Sequence, residues 1–97
     1  MKVLEPLVNY NSILYKKAFS FSVRIVKIYK YLLQKDKSFE PLYKQLLCNG
    51  TSIGANVSEA QSAPSKKDFI NKLSISLKES RESGYWIRLL KETEILN

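Results

Sequence analysis

Hydrophobic residues recur at alternating intervals of four and three positions along residues 14–32, which is the spacing of one face of an α-helix. This row consists of Leu14, Ala18, Phe21, Ile25, Ile28 and Leu32. Asn11 or Ser12 can cap the helix at its start, and the polar residues 35–38 are typical of a turn after it. Residues 1–10 show little periodicity and are expected to be a loose lead-in. The pattern therefore predicts a first helix over residues 12–35.

The same spacing returns in residues 45–61, the stretch around which we expect the other helices to pack. Its hydrophobic row is Leu46, Gly50, Ile53, Val57 and Ala60. A row of small residues runs beside it at intervals of four: Gly50, Gly54 and Ser58. Close packing of a second helix on these residues would offset the roughly 1 kcal/mol that an interior glycine costs a helix. Pro41 suits a first helical turn, so we predict a central helix over residues 41–62.

A polar row lies on the other side of this hydrophobic row. It reads Gln45, Asn49, Ser52, Asn56 and Glu59. Polar groups inside a helix bundle usually form hydrogen bonds that fix how the helices pair. We interpret four of these residues as such a network: Gln45, Ser52, Asn56 and Glu59. The alternative is that they face a central pore or a ligand.

A third helix is predicted over residues 66–93. Ser65 and Asp68 have the spacing of a capping box, in which each side chain bonds a backbone N–H of the first turn. The predicted buried row of this helix is Ile70, Leu73, Leu77, Ser80, Gly84 and Ile87. Gly84 within that row predicts a second close helix crossing.

The opposite side of the third helix is predicted to be a contact between subunits. It carries Ile75, Glu79, Glu82, Trp86 and Leu89. An exposed tryptophan in a mixed apolar and acidic patch is more typical of a protein contact than of a ligand pocket. The acidic residues of the patch could meet the basic first helix of another subunit.

Three amphipathic helices joined by short polar turns predict an all-α fold, an antiparallel up-down helix bundle. The 97 residues are expected to form one domain, residues 1–97. A domain of this size has a modest core, and burial against a partner chain would stabilise it further.

The charge of +7 is concentrated at the start of the chain. Residues 1–37 carry eight basic and two acidic side chains, hence +6, and the remainder carries eight and seven, hence +1. At about 100° per residue, the basic residues of the first helix fall within an arc of about 140°. The predicted nucleic-acid-binding residues are Lys16, Lys17, Arg24, Lys27, Lys30 and Tyr31. Cations around an aromatic ring suit phosphate contacts and base stacking, although a solvated helix face gives the same pattern.

The residue types present argue against catalysis. There is no histidine, the commonest general base and metal ligand, so we expect no enzyme activity, no cofactor, no metal and no small-molecule substrate. The single cysteine, Cys48, is expected to be a small buried residue in a reducing compartment. We expect no signal peptide and no membrane span, hence a cytoplasmic protein.

Four segments carry a resemblance to a known family. Residues 51–56 read TSIGAN, Glu-Ala follows at 59–60, SKKDF occupies 65–69 and KESRESGYWIRLL occupies 78–90. This run resembles the 23S ribosomal RNA intervening-sequence protein family, a family of four-helix bundles. A more distant similarity is to the accessory protein of diversity-generating retroelements, a basic bundle that associates with a reverse transcriptase and with nucleic acid.

The resemblance implies an antiparallel bundle that assembles into a ring, typically a pentamer, with no established enzymatic activity. The chain departs from the family pattern at Cys48 and Asn49, where members usually carry Arg-Ser, so one basic position is lost. Members also continue into a fourth helix after the segment that ends at Asn97. Three helices would leave apolar surface open, which favours association of chains.

Three functional interpretations follow, in different classes. The first is an oligomeric adaptor that binds RNA or DNA through the basic face of the first helix. The second is a protein-interaction scaffold whose basic face docks an acidic protein. The third, an enzyme, is disfavoured by the missing histidine. We adopt the first, with RNA as the partner.

Overall fold

The computed structural model describes the backbone of residues 5–96 and the side chains of residues 13–96. Helix α1 spans Glu5–Lys35, a single 3-10 turn spans Lys37–Phe39, α2 spans Glu40–Gln61 and α3 spans Lys66–Glu92. No strand occurs in residues 5–96, and the predicted all-α fold is confirmed.

Helix α1 begins earlier than the sequence pattern predicts. Its first residue is Glu5, so Asn11 and Ser12 lie inside the helix and neither caps its start. Pro6 lies in the first helical turn, where a missing N–H breaks no helical hydrogen bond. The weak periodicity of residues 5–10 was therefore misleading as an indicator of a loose lead-in.

Helices α1 and α2 are antiparallel and pack closely at two glycines. A Cβ atom added to Gly50 would lie 2.8 Å from Cγ1 of Ile25, and one added to Gly54 would lie 2.9 Å from Oγ of Ser22. Later positions in α2 thus meet earlier positions in α1. The predicted close approach is confirmed at both glycines, whereas Ser58, the third small residue of the row, is exposed.

Helix α3 packs on the other side of α2 through small polar residues. Ser76 donates a hydrogen bond of 3.0 Å from Oγ to the carbonyl oxygen of Ile53, and Ser83 donates to the carbonyl oxygen of Glu79 within α3. Both serines are buried, as is Leu90 further along the same face. Their hydroxyl groups are satisfied, so burying them costs little, and their small size lets the helices approach.

The predicted buried row of α3 is therefore wrong. Ile70 and Leu77 are 50% and 54% exposed, and a Cβ added to Gly84 would meet nothing within 4 Å. The helix is rotated relative to the predicted packing because its contact face is built from serines, which a hydrophobic pattern places outside. Phe69, Leu73 and Ile87 are half-buried beside that face.

The main cluster of buried hydrophobic residues lies towards the end of the molecule where α1 turns into α2. Buried residues cluster there: Ile25, Leu32, Tyr43, Leu46 and Leu90, with Ile95 and Leu96 packed against them. The Tyr43 hydroxyl donates to the carbonyl oxygen of Asp36 at 2.9 Å, and burial raises the pKa of Tyr43. The Lys35 ammonium donates to the carbonyl oxygen of Ile95. The molecule is 51 Å long. The last described residues thus cover the end at which α1 turns into α2.

Cys48 is exposed, contrary to the expectation that it would be buried. It lies on the side of α2 away from both neighbouring helices. None of the helices described in residues 5–96 contains a stretch apolar and long enough to span a bilayer.

Candidate nucleic-acid interface and the junction of α2 and α3

The basic face of α1, defined as Lys16, Lys17, Arg24, Lys27, Lys30 and Tyr31, is exposed at every position. It lies opposite Ala18, Ile25 and Leu32, the buried row of the same helix. Among the described side chains, ion pairs join Lys44 to Glu40 and Lys72 to Glu59, and none involves the basic face. Its cations are therefore all available to an anionic partner.

Part of the basic face borders a shallow surface depression. Its lining is Lys16, Lys17, Ser20, Phe21 and Arg24. Phe21 is half-buried and adds an apolar side chain to a lining that contains three cations. This arrangement can hold a phosphate against the cations while the sugar or base lies over the ring.

Tyr31 lies at the other end of the basic face. Its side chain is 55% exposed, and the Lys35 ammonium lies 6.0 Å from the ring centroid, at the outer limit of a cation–π contact. The ring therefore keeps a face open to solvent, as stacking with an unpaired base requires.

The four residues predicted to form a bundle network do not meet one another through their side chains. Gln45 is exposed, and the Glu59 carboxylate forms an ion pair of 2.6 Å with Lys72 of α3. Ser52 and Asn56 donate to carbonyl oxygens of α2 itself, those of Cys48 and Ser52. The predicted network is wrong: of these residues Glu59 meets α3, through Lys72, whereas Ser52 and Asn56 form their hydrogen bonds within α2.

The hydrogen-bonded junction of α2 and α3 instead centres on Asn49. Its side-chain nitrogen donates to Oε2 of Glu79 at 2.6 Å and to Oε2 of Glu82 at 2.7 Å. Its side-chain oxygen accepts from Nε1 of Trp86 at 2.9 Å. Asn49 is only 9% exposed. Its buried amide therefore forms hydrogen bonds with two carboxylates and one indole of α3. We call these four residues the Asn49 junction.

Asn49 was in the polar row but was not singled out as part of the network. At about 100° per residue, it lies about 60° from the centre of the hydrophobic row of α2, against about 140° for Glu59. That angular position was a usable signal for its burial. Its partners could not be found in the same way, because they depend on the rotation of α3, which the serines set.

The five residues predicted for a subunit contact do not all lie on the same surface of the structure. Glu79, Glu82 and Trp86 turn towards α2 and belong to the Asn49 junction, so Trp86 is not the freely exposed side chain that was expected. Ile75 is 41% exposed and Leu89 is half-buried. A patch on this side therefore presents fewer charges than the sequence indicates.

Within the described residues, no group of three or more cysteine, aspartate or glutamate side chains is arranged to hold a metal ion.

The comparisons with known proteins agree with the resemblance carried by the sequence motifs. The family model for the 23S rRNA-intervening sequence protein matches residues 10–97. The chain belongs to this family. A crystal structure of a protein with unknown function from the S23 ribosomal protein family, from Bacteroides thetaiotaomicron, is similar, with 48% sequence identity and a TM-score of 0.85. The similarity covers 90% of this chain and 77% of that one. No curated protein matches the chain.

Proposed function

We propose that this member of the 23S rRNA-intervening sequence protein family is a non-enzymatic, oligomeric adaptor that binds RNA through the basic face of α1. The observation that carries the proposal is that five exposed cations and an exposed tyrosine share one side of a helix, with no carboxylate paired to them among the described residues. The name of the family refers to ribosomal RNA and supports RNA as the anion.

The contacts expected of this face are mainly to phosphates. Lysine is a flexible point charge that suits the RNA backbone rather than a particular base. From Lys16 to Tyr31 the face is about 22 Å long at 1.5 Å per residue. Binding should be strongly weakened by salt, since each neutralised phosphate releases counterions.

Tyr31 adds a contact of a different kind. Base stacking on an aromatic side chain tolerates any base and requires an unpaired nucleotide. The face is therefore suited to a structured RNA that combines a helical stem with a loop or an end.

Self-association would repeat the basic face and raise the effective concentration of RNA contacts. We infer a homo-oligomer, with Ile75 and Leu89 as the apolar part of the subunit contact beside Glu79, Glu82 and Trp86. Ile75 is the member of this set that is clearly exposed, so it is the best residue for a test.

The test of RNA binding is fluorescence anisotropy with a labelled RNA hairpin at several salt concentrations. The Lys27→Glu/Lys30→Glu variant should lose at least tenfold in affinity for RNA at the basic face of α1, with a shallower salt dependence. Lys37→Glu/Lys66→Glu is the matched control, because it makes the same change in charge at two exposed residues outside the basic face. Equal loss in both variants would mean that only net charge matters, and equal retention would refute the proposal. Strong binding of an acidic protein in place of RNA would favour a scaffold.

A further inference from the structure

The outer side of α3 carries a second set of exposed cations around an aromatic ring. Lys78, Arg81, Tyr85 and Arg88 are all exposed. At about 100° per residue they fall within an arc of about 80°, and they extend over about 15 Å of the helix. This arc lies away from the buried residues Ser76 and Ser83, hence away from α2.

The sequence conceals this face because acidic residues are interleaved with the basic ones. Glu79 and Glu82 lie between Lys78 and Arg88 in the chain, so the segment has little net charge. In the structure both carboxylates turn inward and accept hydrogen bonds from Asn49. The Asn49 junction therefore separates the charges of α3, with the acidic groups held against α2 and the basic groups left outside.

The cations of this outer side form no ion pair within the described part of the chain. The ion pairs found there use Lys44 and Lys72, which are not on this face. Tyr85 is 60% exposed, the most exposed large hydrophobic side chain described. Its ring is held by an edge contact with Trp86, with centroids 5.1 Å apart at an interplanar angle of 79°. An anchored, open ring between cations is what base stacking with phosphate contacts requires.

We propose that Lys78, Arg81, Tyr85 and Arg88 form a second RNA-binding surface, so that each protomer binds two RNA segments. This inference rests on the proposed RNA-binding function and deepens it. Arginine at two of the positions can bind a phosphate with two parallel hydrogen bonds. The two basic faces therefore differ in character, one dominated by lysine and the other by arginine.

The two surfaces point in different directions, which is why they take separate RNA segments. Helix α1 packs on Gly50 and Gly54 of α2, whereas α3 packs on Asn49 and Ile53. Asn49 and Gly50 are neighbours in a helix and so point about 100° apart. Because each basic face lies on the side of its helix away from α2, a short straight RNA stem cannot lie along both.

The test is the number of RNA molecules bound per protomer. A labelled hairpin with a stem no longer than one basic face is titrated into the protein at a concentration well above the dissociation constant. We expect two hairpins per protomer for the unaltered protein. We expect one for Arg81→Glu/Arg88→Glu and one for Lys27→Glu/Lys30→Glu. Counting per protomer keeps the result independent of oligomer size.

Two further variants make the test specific. Arg81→Lys/Arg88→Lys keeps the charge and should still bind two hairpins, and Tyr85→Ala should weaken binding of single-stranded RNA more than binding of a stem. Circular dichroism on each variant establishes that α3 is folded.

The possible results separate the two proposals. If the Arg81→Glu/Arg88→Glu variant still binds two hairpins per protomer, the proposal of a second surface on α3 is overturned. The proposal is also overturned if the unaltered protein binds one hairpin per protomer and only Lys27→Glu/Lys30→Glu abolishes that binding. In that case the RNA-binding role of the basic face of α1 is retained. Absence of RNA binding by the unaltered protein overturns both. A count of one that is lost only in Arg81→Glu/Arg88→Glu keeps RNA binding at α3 but overturns its assignment to α1.

Discussion

The side-chain nitrogen of Asn49 lies 2.6 Å from Oε2 of Glu79. The same nitrogen holds Glu82, and the oxygen of that amide accepts the indole N–H of Trp86. One amide thus joins α2 to three side chains of α3. The contact therefore holds both carboxylates against α2 and leaves the basic residues on the outer side of α3.

Replacing Asn49 with leucine should destabilise the protein. The change removes the shared partner of an indole N–H and two carboxylates, all of them half-buried, and a hydrogen bond of this kind contributes about 0.5–1.5 kcal/mol. Urea denaturation followed by circular dichroism measures the loss. The matched control is Asn56→Leu on the same helix, whose amide bonds, among the described residues, to the carbonyl oxygen of Ser52. It should cost less, and a larger loss at Asn56 would contradict the role given to Asn49.

Two glycines should respond in opposite directions to substitution by alanine. Gly50→Ala would place a Cβ 2.8 Å from the buried Ile25 side chain, and overpacking of this kind costs about 1–3 kcal/mol. Gly84→Ala meets nothing within 4 Å and gains helix propensity, about 1 kcal/mol. Thermal unfolding should therefore shift down for the first variant and up for the second. A loss at Gly84 would indicate that another chain or segment covers this position.

Two serines of α3 test the rotation of that helix. Ser83 is buried and Ser80 is exposed, although the hydrophobic pattern assigns Ser80 to the core. Ser83→Leu should destabilise by about 1–3 kcal/mol through overpacking, whereas Ser80→Leu should change stability by no more than about 0.5 kcal/mol. Chemical denaturation of the two variants compares them directly. If Ser80→Leu lost more stability than Ser83→Leu, the rotation of α3 that the hydrophobic pattern predicts would be supported instead.

Tyr31 should matter for unpaired RNA and little for a stem. Stacking of one base on an aromatic side chain contributes about 1–3 kcal/mol, so Tyr31→Ala should weaken binding of a single-stranded oligonucleotide by about tenfold or more. Tyr31→Phe keeps the ring and is the control. Anisotropy titrations with both RNA forms give the comparison, and equal weakening of both would assign Tyr31 a role other than stacking.

The subunit contact inferred at Ile75 is open to a direct test. Ile75→Glu places a charge in the apolar part of that contact and should reduce the oligomer size seen in sedimentation velocity. Ile70→Glu is a matched change at another exposed isoleucine of α3. Dissociation by Ile70→Glu alone would place the contact on the other side of the helix.

The sequence by itself determined the helices, apart from where α1 begins, and the way α1 meets α2. The buried row of Ala18, Ile25 and Leu32 and the close approach at Gly50 and Gly54 follow from helical spacing and side-chain size, which are local properties. The basic face of α1 was also visible, because no acidic residue interrupts it. Its RNA-binding role stays a prediction.

Only the tertiary structure decided the rotation of α3 and everything that depends on it. The hydrophobic pattern assigns Ser76 and Ser83 to the surface, yet both are buried. Their burial costs little because each hydroxyl donates to a nearby carbonyl oxygen. That rotation brings Glu79, Glu82 and Trp86 to Asn49 and leaves Ile70 and Leu77 exposed. Hydrophobic periodicity cannot reveal such a contact, since the free energy of a buried polar group depends on a partner that is distant in the sequence.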